Sequence, residues 1–394
     1  MYTLTTFAVT PAPPLLALPS GTGMSSIYIN PHQKPITNLP PRNPKVRSFH
    51  QSLPHYKPTP LVSLPSIAKE LGIAHLLVKD ESSRLGLSAF KILGASWATT
   101  KAVARHVGLD DELSIEHLAS AAQKADLTLY AATDGNHGRA VGRMAKYLGI
   151  KATILVPSLV DEEAKSKITG EGAEVEVVDG DYDETVVATK LAAEKHEDGK
   201  GLLISDTALA PEDEIPKWIV DGYQTMFDEI EEQLLDITGD KKIDYVVTPV
   251  GAGSLAAATV THFQRTPRTV KPAIVTVEPY SAACMKASLQ AGKMASVSAT
   301  YTICTGMCCG TLSVVAFPIL KEGIEVAMTV SDVEVEVAIQ LLQGYGVYAG
   351  PCGAASLAAV RKLLLNRPGE LVLAPDAVAV ILCTEGKRGY EMRS

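Results

Sequence analysis

Lys91 is the residue whose setting in the sequence most directly suggests chemistry. It opens a predicted helix, with Phe90 before it and Ile92 after it. A cation in the first turn of a helix meets the positive end of the dipole, and apolar surroundings lower the pKa of an amine. Since few nearby groups can balance its charge, both effects favour a nucleophilic amine that forms Schiff bases. The other interpretation is a surface lysine whose stem lies along apolar neighbours.

A glycine-rich turn is the second candidate. Gly251-Ala-Gly-Ser-Leu-Ala follows the predicted strand Tyr245–Val250 and precedes an alanine-rich helix. Glycines let backbone N–H groups approach an anion, and the helix adds its positive end, so the turn predicts a phosphate cradle. The same residues fit the dinucleotide pattern G-x-G-x-x-A, with Glu278 near the place of a ribose-binding acid. A single-phosphate cofactor, NAD and a turn without ligand are all open at this point.

A third turn, Thr133–Arg139, follows the predicted strand Leu127–Ala132. Asp134 in this turn is a candidate general base, or only the residue that caps the next helix. Asn136 and His137 add side chains that can form hydrogen bonds.

The elements that must position these turns alternate along the chain. Apolar, β-branched runs separated by helical patterns predict an α/β fold of parallel sheets covered by helices. The Asp-rich stretch Asp179–Glu184 is predicted to be a solvated loop. The predicted strands are Leu76–Lys79, Leu127–Ala132, Ala152–Val156, Val175–Val178, Leu202–Ile204, Tyr245–Val250, Ile274–Val277 and Val378–Leu382. The predicted helices include Arg139–Leu148, Glu184–His196, Ile215–Leu235, Ser254–Phe263, Asp332–Tyr345 and Ala354–Leu365.

Composition narrows the class of protein. The 394 residues suggest about two domains, and a net charge of -8 with 5% aromatics argues against nucleic-acid and membrane partners. Six cysteines fit a reducing compartment, and no apolar stretch is long enough to span a bilayer. Residues 1–23 contain no Lys or Arg and are expected to be a disordered tail, with Met24 as a possible start of the folded part.

Together the three turns resemble pyridoxal-phosphate enzymes of the tryptophan-synthase-like fold (fold type II), and among them the diaminopropionate ammonia-lyases. The family's Gly-Leu-Asn-Ala-Phe-Lys-x-Leu-Gly appears as Gly86-Leu-Ser-Ala-Phe-Lys-Ile-Leu-Gly94, and its Thr-Asp-Gly-Asn-His-Gly-Arg stands intact at Thr133–Arg139. The other matching segments are Ser26–His32, Asp206–Ala208, Ile215–Tyr223, Val277–Pro279 and Thr384–Gly386. The resemblance covers about residues 25 to 390.

This resemblance implies pyridoxal 5′-phosphate as the cofactor, attached to Lys91. It implies that Asn136 hydrogen-bonds the ring oxygen and that Cys383, or alternatively Thr384, lies at the pyridine nitrogen. A thiol or hydroxyl there leaves the ring nitrogen less protonated than a carboxylate does, which suits β-elimination. The residues implied for the phosphate are Gly251, Ala252, Gly253, Ser254 and Leu255.

The resemblance also implies a reaction. Asp134 and Asp206 match acids of the substrate site, where Asp134 serves as base for one substrate enantiomer and Lys91 for the other. The expected activity is α,β-elimination of 2,3-diaminopropionate, or a related β-substituted amino acid, to a 2-keto acid and ammonia. An NAD-dependent dehydrogenase is the alternative from another class, but it leaves Lys91 and Asn136 without a role.

Several segments on the substrate side depart from the family pattern. They are Leu209-Ala-Pro-Glu-Asp for Trp-Glu-Gly-Tyr, Cys309-Gly-Thr-Leu for Cys-Gly-Glu-Pro, Gly350-Pro-Cys-Gly for Gly-Glu-Ser-Gly, and Lys387-Arg388 where an acidic or neutral residue is expected. Neutral or basic groups in place of acids should weaken binding of a second ammonium group. A diverged enzyme that catalyses β-elimination or β-replacement on another amino acid, in a specialised pathway, is therefore an alternative.

The cysteines suggest no metal site, because Cys304, Cys308 and Cys309 lack a nearby His or a CxxC pair. Cys284 and Cys309 resemble in position a cysteine pair near the active-site entrance of bacterial relatives. Two unpaired, buried thiols are the other interpretation.

The resemblance further implies a domain division. A large cofactor-binding domain comprises residues 24–90 and 205–394, and a small domain, residues 91–204, is inserted into it, with the cofactor between them. We expect a cytoplasmic homodimer that binds a small amino-acid substrate.

Overall fold

The computed structural model describes residues 26–37, 39–109, 113–133, 135–158, 160–240, 242–265, 271–366 and 374–392. The tail predicted for residues 1–23, the predicted start at Met24 and the candidate base Asp134 lie outside these described residues. Within them, strands and helices alternate along most of the chain, as the apolar runs predict.

The elements agree with the sequence prediction in most places. The strands are β1 (Ile27–Ile29), β2 (Leu61–Ser63), β3 (His75–Asp80), β4 (Thr128–Ala132), β5 (Lys151–Pro157), β6 (Glu174–Val178), β7 (Gly201–Leu203), β8 (Tyr245–Pro249), β9 (Ala273–Pro279), β10 (Val326–Val330) and β11 (Val378–Cys383). The helices are α1 (Lys45–Ser52), α2 (Pro65–Leu71), α3 (Lys91–His106), α4 (Ile115–Lys124), α5 (Asn136–Leu148), α6 (Glu162–Thr169), α7 (Tyr182–Lys195), α8 (Ile215–Gly222), α9 (Gln224–Thr238), α10 (Ser254–Arg265), α11 (Cys284–Ala291), α12 (Phe317–Gly323), α13 (Asp332–Gln343) and α14 (Pro351–Asn366). Every predicted strand is present, whereas β1, β2 and β10 were not predicted.

The larger of two sheets has the strand order β1-β10-β9-β8-β11-β3-β2. Its inner strands are parallel, and β1 and β2 close its edges in the antiparallel direction. Every residue of β8, β10 and β11 is buried, as expected of parallel strands with helices on both faces. Because the carboxyl ends of parallel strands share one edge, the loops after β3, β8 and β11 meet there.

The smaller sheet has the order β6-β5-β4-β7, and all its strands are parallel. Its edge strand β6 differs from the buried strands, since it has no buried residue and Val177 is 55% exposed. The alternation of Glu and Val at its start explains this, because polar side chains suit an edge strand that faces solvent.

Helix α3, which begins at Lys91, packs closely against α8. A Cβ atom built on Gly94 would lie 2.8 Å from the Tyr223 ring, and one built on Gly222 would lie 2.6 Å from a backbone carbonyl oxygen of α3. Since no side chain fits at either position, the two backbones approach closely and fix the helix that carries the lysine. The single helix predicted over Ile215–Leu235 is in fact two helices, α8 and α9, which break at Tyr223 beside this contact.

Four charged side chains with no solvent exposure lie beneath the loop that leads to Lys91: Lys79, Glu81, Arg84 and Glu229. Lys79 Nζ donates to Glu229 at 2.8 Å, and Arg84 donates to both acids at 2.6 to 2.7 Å. Two positive and two negative charges balance, so none is buried without a partner. The cluster ties β3 and the following loop to α9.

Replacing Glu229 by Gln should lower the free energy of unfolding by about 3–5 kcal/mol, because it leaves Lys79 and Arg84 with one acid between them. Urea unfolding at pH 7 measures this. The control is Glu232→Gln on the same helix, in an exposed pair with Arg47, which should change stability by less than about 1 kcal/mol. Equal effects of the two variants would contradict this account of the cluster.

Candidate functional site

Lys91 and Asp206 are in direct contact. The Lys91 ammonium donates to Asp206 Oδ2, and the two side chains are 21% and 5% exposed. The hydroxyl of Tyr182, the first residue of α7, donates to Asp206 Oδ1 at 3.2 Å. The expectation that Lys91 lacks a balancing charge is therefore wrong. Its partner lies 115 positions away in the sequence, after β7, and only the fold brings them together.

Asp206 is held in its ionised form. Burial alone would raise its pKa, but the charge of Lys91 and hydrogen bonds from Lys91 and Tyr182 outweigh burial and hold the pKa well below its usual range. His137 Nδ1 lies 4.0 Å from Asp206 Oδ2. Asp206 is thus a carboxylate that can hold an ammonium group.

His137 has a structural role in this arrangement. Its Nε2–H donates to the Ile204 carbonyl oxygen at 2.8 Å, which joins the start of α5 to the end of β7. Burial, aided by the charge of Lys91, lowers the pKa of His137, so the ring is neutral near pH 7. His137 thus holds the turn after β4 against the end of β7.

The predicted phosphate cradle lies directly beside this pair. The Ser254 hydroxyl donates to the Asp206 backbone oxygen at 2.5 Å, so the glycine-rich turn is attached to the segment that binds Lys91. Gly253 has φ +100°, which favours glycine, and the turn opens α10. The first backbone N–H groups of a helix lack partners within it, so Gly251 to Leu255 present donors and a positive helix end to an anion.

The turn that contains Gly306 and Cys309 packs against the phosphate cradle. A Cβ atom at Gly251 would lie 2.9 Å from the Gly306 oxygen and 3.3 Å from Cys309 Sγ, so only glycine fits there. The Cys284 thiol faces the Gly251 carbonyl oxygen at 3.9 Å. Cys284 and Cys309 are both buried and form no disulfide, in agreement with the second of the two interpretations.

Asn136 is the first residue of α5, in the part of the site that the small sheet supplies. The preceding Gly135 has φ +148°, which lets the chain turn sharply from β4 into the helix. Asn136 Nδ2 donates to Glu385 Oε2 at 2.8 Å, a contact between the loop after β4 and the loop after β11. Asp134 would precede these residues, but it is not among the described ones.

Cys383 ends β11 and is fully buried. Its thiol donates to the Glu385 backbone oxygen at 3.5 Å, and burial raises the pKa of the thiol well above its usual value. Cys383 is therefore a neutral thiol at the carboxyl edge of the large sheet. Thr384, the alternative, is also buried, and its carbonyl oxygen accepts from the Phe90 N–H next to Lys91.

Glu278 does not have the position that a dinucleotide site requires. It is fully buried, and its two carboxyl oxygens accept the backbone N–H groups of Met285 and Lys286 at the start of α11. No oxygen of this carboxyl faces a cleft where a ribose could bind. Its function is to cap α11, which removes one of the two observations that favoured a dehydrogenase.

Two residues of the site were missed from the sequence. Tyr182 falls in the stretch Asp179–Glu184, predicted as a solvated loop, but α7 starts there, with Asp181 and Glu184 capping each other. The spacing of these two acids is the signal that could have shown the helix start. Glu385 carried no sequence signal of its own beyond the Thr-Glu-Gly motif, and Arg388 was noted only as a departure from the family pattern.

Comparison with known proteins decides the family. A protein-family sequence model described as "Pyridoxal-phosphate dependent enzyme" matches residues 52–384 of the chain. Diaminopropionate ammonia-lyase of Escherichia coli (strain K12) is 34% identical over 355 residues, which span 86% of this chain and 87% of that protein. The chain belongs to the family of pyridoxal-phosphate dependent enzymes.

Solved structures of the same relative agree with this pyridoxal-phosphate enzyme over nearly its whole length. Diaminopropionate ammonia-lyase from Escherichia coli in complex with D-serine is 30% identical, with a TM-score of 0.83, and the match covers 91% of this chain and 93% of that chain. The same lyase in complex with an aminoacrylate-PLP azomethine intermediate has a TM-score of 0.81 at 29% identity, with the same coverage.

These matches confirm the predicted family, the α/β tryptophan-synthase-like fold and pyridoxal phosphate as cofactor. The enzyme is a pyridoxal-phosphate-dependent lyase similar to diaminopropionate ammonia-lyase. The residues present fit the cofactor, because a lysine amine, an anion cradle at a helix start and a buried thiol at the end of β11 lie at one edge of the fold. None of the described helices is long and apolar enough to cross a membrane.

Glu278 should make stability depend on pH. Burial raises its pKa to about 7, and the two N–H groups that bind it only partly offset this. Between about pH 4.5 and 7 the folded protein therefore holds a proton that the unfolded chain has lost, so this group's contribution to stability falls as pH rises. Thermal unfolding from pH 5 to 8 should show the stability difference, wild type minus Glu278→Gln, decreasing over this range. Stability curves of wild type and Glu278→Gln that run parallel from pH 5 to 8 would contradict this role of Glu278. The variant Glu162→Gln, at an exposed position, serves as the control.

Proposed function

We propose that this enzyme catalyses α,β-elimination of 2,3-diaminopropionate, or of a related β-substituted amino acid, to a 2-keto acid and ammonia. With 2,3-diaminopropionate and one molecule of water, the products are pyruvate and two molecules of ammonia. The observation that carries the proposal is the contact of Lys91 with the buried carboxylate Asp206, directly beside the cradle at Ser254. The similarity to diaminopropionate ammonia-lyase supports it.

The residues of the chain divide the work of proton transfer. When bound, pyridoxal phosphate supplies an electron sink that stabilises negative charge at the substrate α-carbon. The Lys91 amine removes the α-proton from one face, and Asp134 does so for the other enantiomer. Asp206 accepts hydrogen bonds from Lys91 and Tyr182, and so orients the lysine amine and provides a negative charge beside a substrate ammonium group.

The proposed cofactor contacts come from both sheets. Lys91 would bind the cofactor covalently, Asn136 would donate to its ring oxygen and Cys383 would lie at its ring nitrogen. Gly251, Ala252, Gly253, Ser254 and Leu255 would hold the phosphate, because their helix start favours an anion.

The proposed larger assembly follows the family resemblance. Residues 24–90 and 205–394 form the large domain and residues 91–204 the small one. The separate small sheet β4–β7 supports this division, although α3 also packs against α8 of the proposed large domain. We propose a homodimer in the cytoplasm; six cysteines that form no disulfide suit a reducing compartment.

The substrate assay uses the protein loaded with pyridoxal phosphate. Release of ammonia and keto acid is measured with D- and L-2,3-diaminopropionate, Ser, Thr and cysteine derivatives. We expect the fastest release from diaminopropionate. Little release from it, together with rapid elimination or replacement on another amino acid, would show a diverged enzyme instead.

The variant Lys91→Ala should lose the visible absorption band that borohydride fixes to the protein, because no other amine takes its place. Its keto-acid production should fall to background. Lys101→Ala, on the same helix and beside the Trp218 ring, is the control and should keep both properties. A Lys91→Ala protein with unchanged band and activity would exclude this role.

The variant Asp206→Asn should keep its volume but lose the charge that pairs with Lys91. Proton transfer by a positioned group contributes about 10²–10⁴-fold, so we expect kcat to fall by about 10²-fold or more. Steady-state kinetics on diaminopropionate measure this. Asp236→Asn, at an exposed position of α9, is the matched control, and a similar kcat in both variants would contradict the role of Asp206.

A further inference from the structure

Glu385 lies at a junction of three segments. Its side chain is 4% exposed, and each carboxyl oxygen has its own partners. Oε2 accepts from Asn136 Nδ2 at 2.8 Å, at the start of α5. Oε1 accepts from the Cys352 backbone N–H at 3.1 Å, at the start of α14, and lies 3.3 Å from Arg388 Nε.

The contact with Asn136 determines which way its amide faces. An asparagine amide presents an NH₂ group on one side and a carbonyl oxygen on the other, and a carboxylate can bind only the NH₂ side. With one of its two hydrogens bound to Glu385, the NH₂ group keeps a second hydrogen directed elsewhere. Without the carboxylate, the amide could rotate and present its oxygen instead.

Arg388 in turn holds Glu385. Its guanidinium donates to the Ile303 carbonyl oxygen at 2.7 Å, which fixes the side chain, and its side chain is 17% exposed. Arg388 thereby places a positive charge beside the almost fully buried Glu385 carboxyl group. Arg388 is one of the positions where the sequence departs from the family pattern.

We propose that Glu385, kept in place by Arg388, is a positioning residue that orients the Asn136 amide so that its second N–H faces the ring oxygen of pyridoxal phosphate. It acts through Asn136. This inference rests on the proposed contact of Asn136 with the cofactor, and it does not depend on which substrate the enzyme takes.

The first test measures the bound cofactor. A donor to the ring oxygen favours its negatively charged form, so Glu385→Gln should move absorbance from the visible band to a shorter-wavelength band. Loss of one hydrogen bond to a charged oxygen should raise the Kd for pyridoxal phosphate about tenfold. The absorption spectrum and the Kd are both measured by titrating the cofactor-free protein with pyridoxal phosphate. An unchanged spectrum with Kd within about twofold of wild type would overturn the proposal.

The second test asks whether Glu385 acts through Asn136. If it does, Glu385→Gln should have almost no further effect on spectrum or Kd in an Asn136→Ala background. Additive effects of the two changes would show that Glu385 acts by another route and would overturn the proposal.

A matched pair of charge changes covers the case in which Glu385→Gln fails to fold. Arg388→Gln and Lys387→Gln each remove one positive charge from the lining of the same cavity, but only Arg388 contacts Glu385. Arg388→Gln should shift the visible absorption band in the same direction as Glu385→Gln. Arg388→Lys should show a smaller shift than Arg388→Gln, and Lys387→Gln should leave the band unchanged. Equal shifts in Arg388→Gln and Lys387→Gln would indicate a general effect of charge and overturn the assignment. None of these measurements involves substrate. A substrate assay that contradicts the proposed reaction therefore leaves the role of Glu385 untouched, and a cofactor titration that contradicts the role of Glu385 leaves the proposed reaction untouched.

Discussion

The contact between Lys91 and Asp206 depends on several separate parts of the structure. A carboxylate with 5% exposure stays ionised only if donors and positive charges replace the lost water. Here the lysine comes from the start of α3, the phenol of Tyr182 from α7, and Ser254 of the glycine-rich turn binds the backbone of the same residue. The site is therefore assembled only when both sheets are in place.

The two parallel sheets make this assembly possible. Parallel strands bring their carboxyl ends to one edge, and loops at that edge are free to carry polar groups without disturbing the apolar strands. The edge of the large sheet supplies Glu385 and the phosphate cradle, whereas the edge of the small sheet supplies Asn136 and Asp206. The contacts Asn136–Glu385 and Lys91–Asp206 thus join loops of different origin, and a change in the spacing of the sheets would affect both.

Prediction from the sequence succeeded where the signal is local. The strands with continuous apolar runs, the glycine-rich turn and Lys91 at a helix start are all visible in short windows. It failed where a residue's role depends on distant partners. The counter-charge of Lys91 is 115 positions away, Tyr182 was hidden in an acidic stretch, and Glu278 matched a motif whose geometry the fold does not provide. The edge strands β1 and β2 have only three residues each, too few for a periodic pattern.

The departures from the family pattern have a different meaning once the contacts are known. From the sequence, a basic residue at Arg388 argued against a substrate with a second ammonium group. In the fold, however, its charge is paired with Glu385 and its guanidinium is fixed to the Ile303 oxygen, so it adds little positive charge for a substrate to meet. Pro351 replaces an acid at the start of α14, yet Glu385 accepts an N–H of that helix start. These two changes therefore concern how Glu385 is held, and neither by itself weakens the case for a diamino acid as substrate.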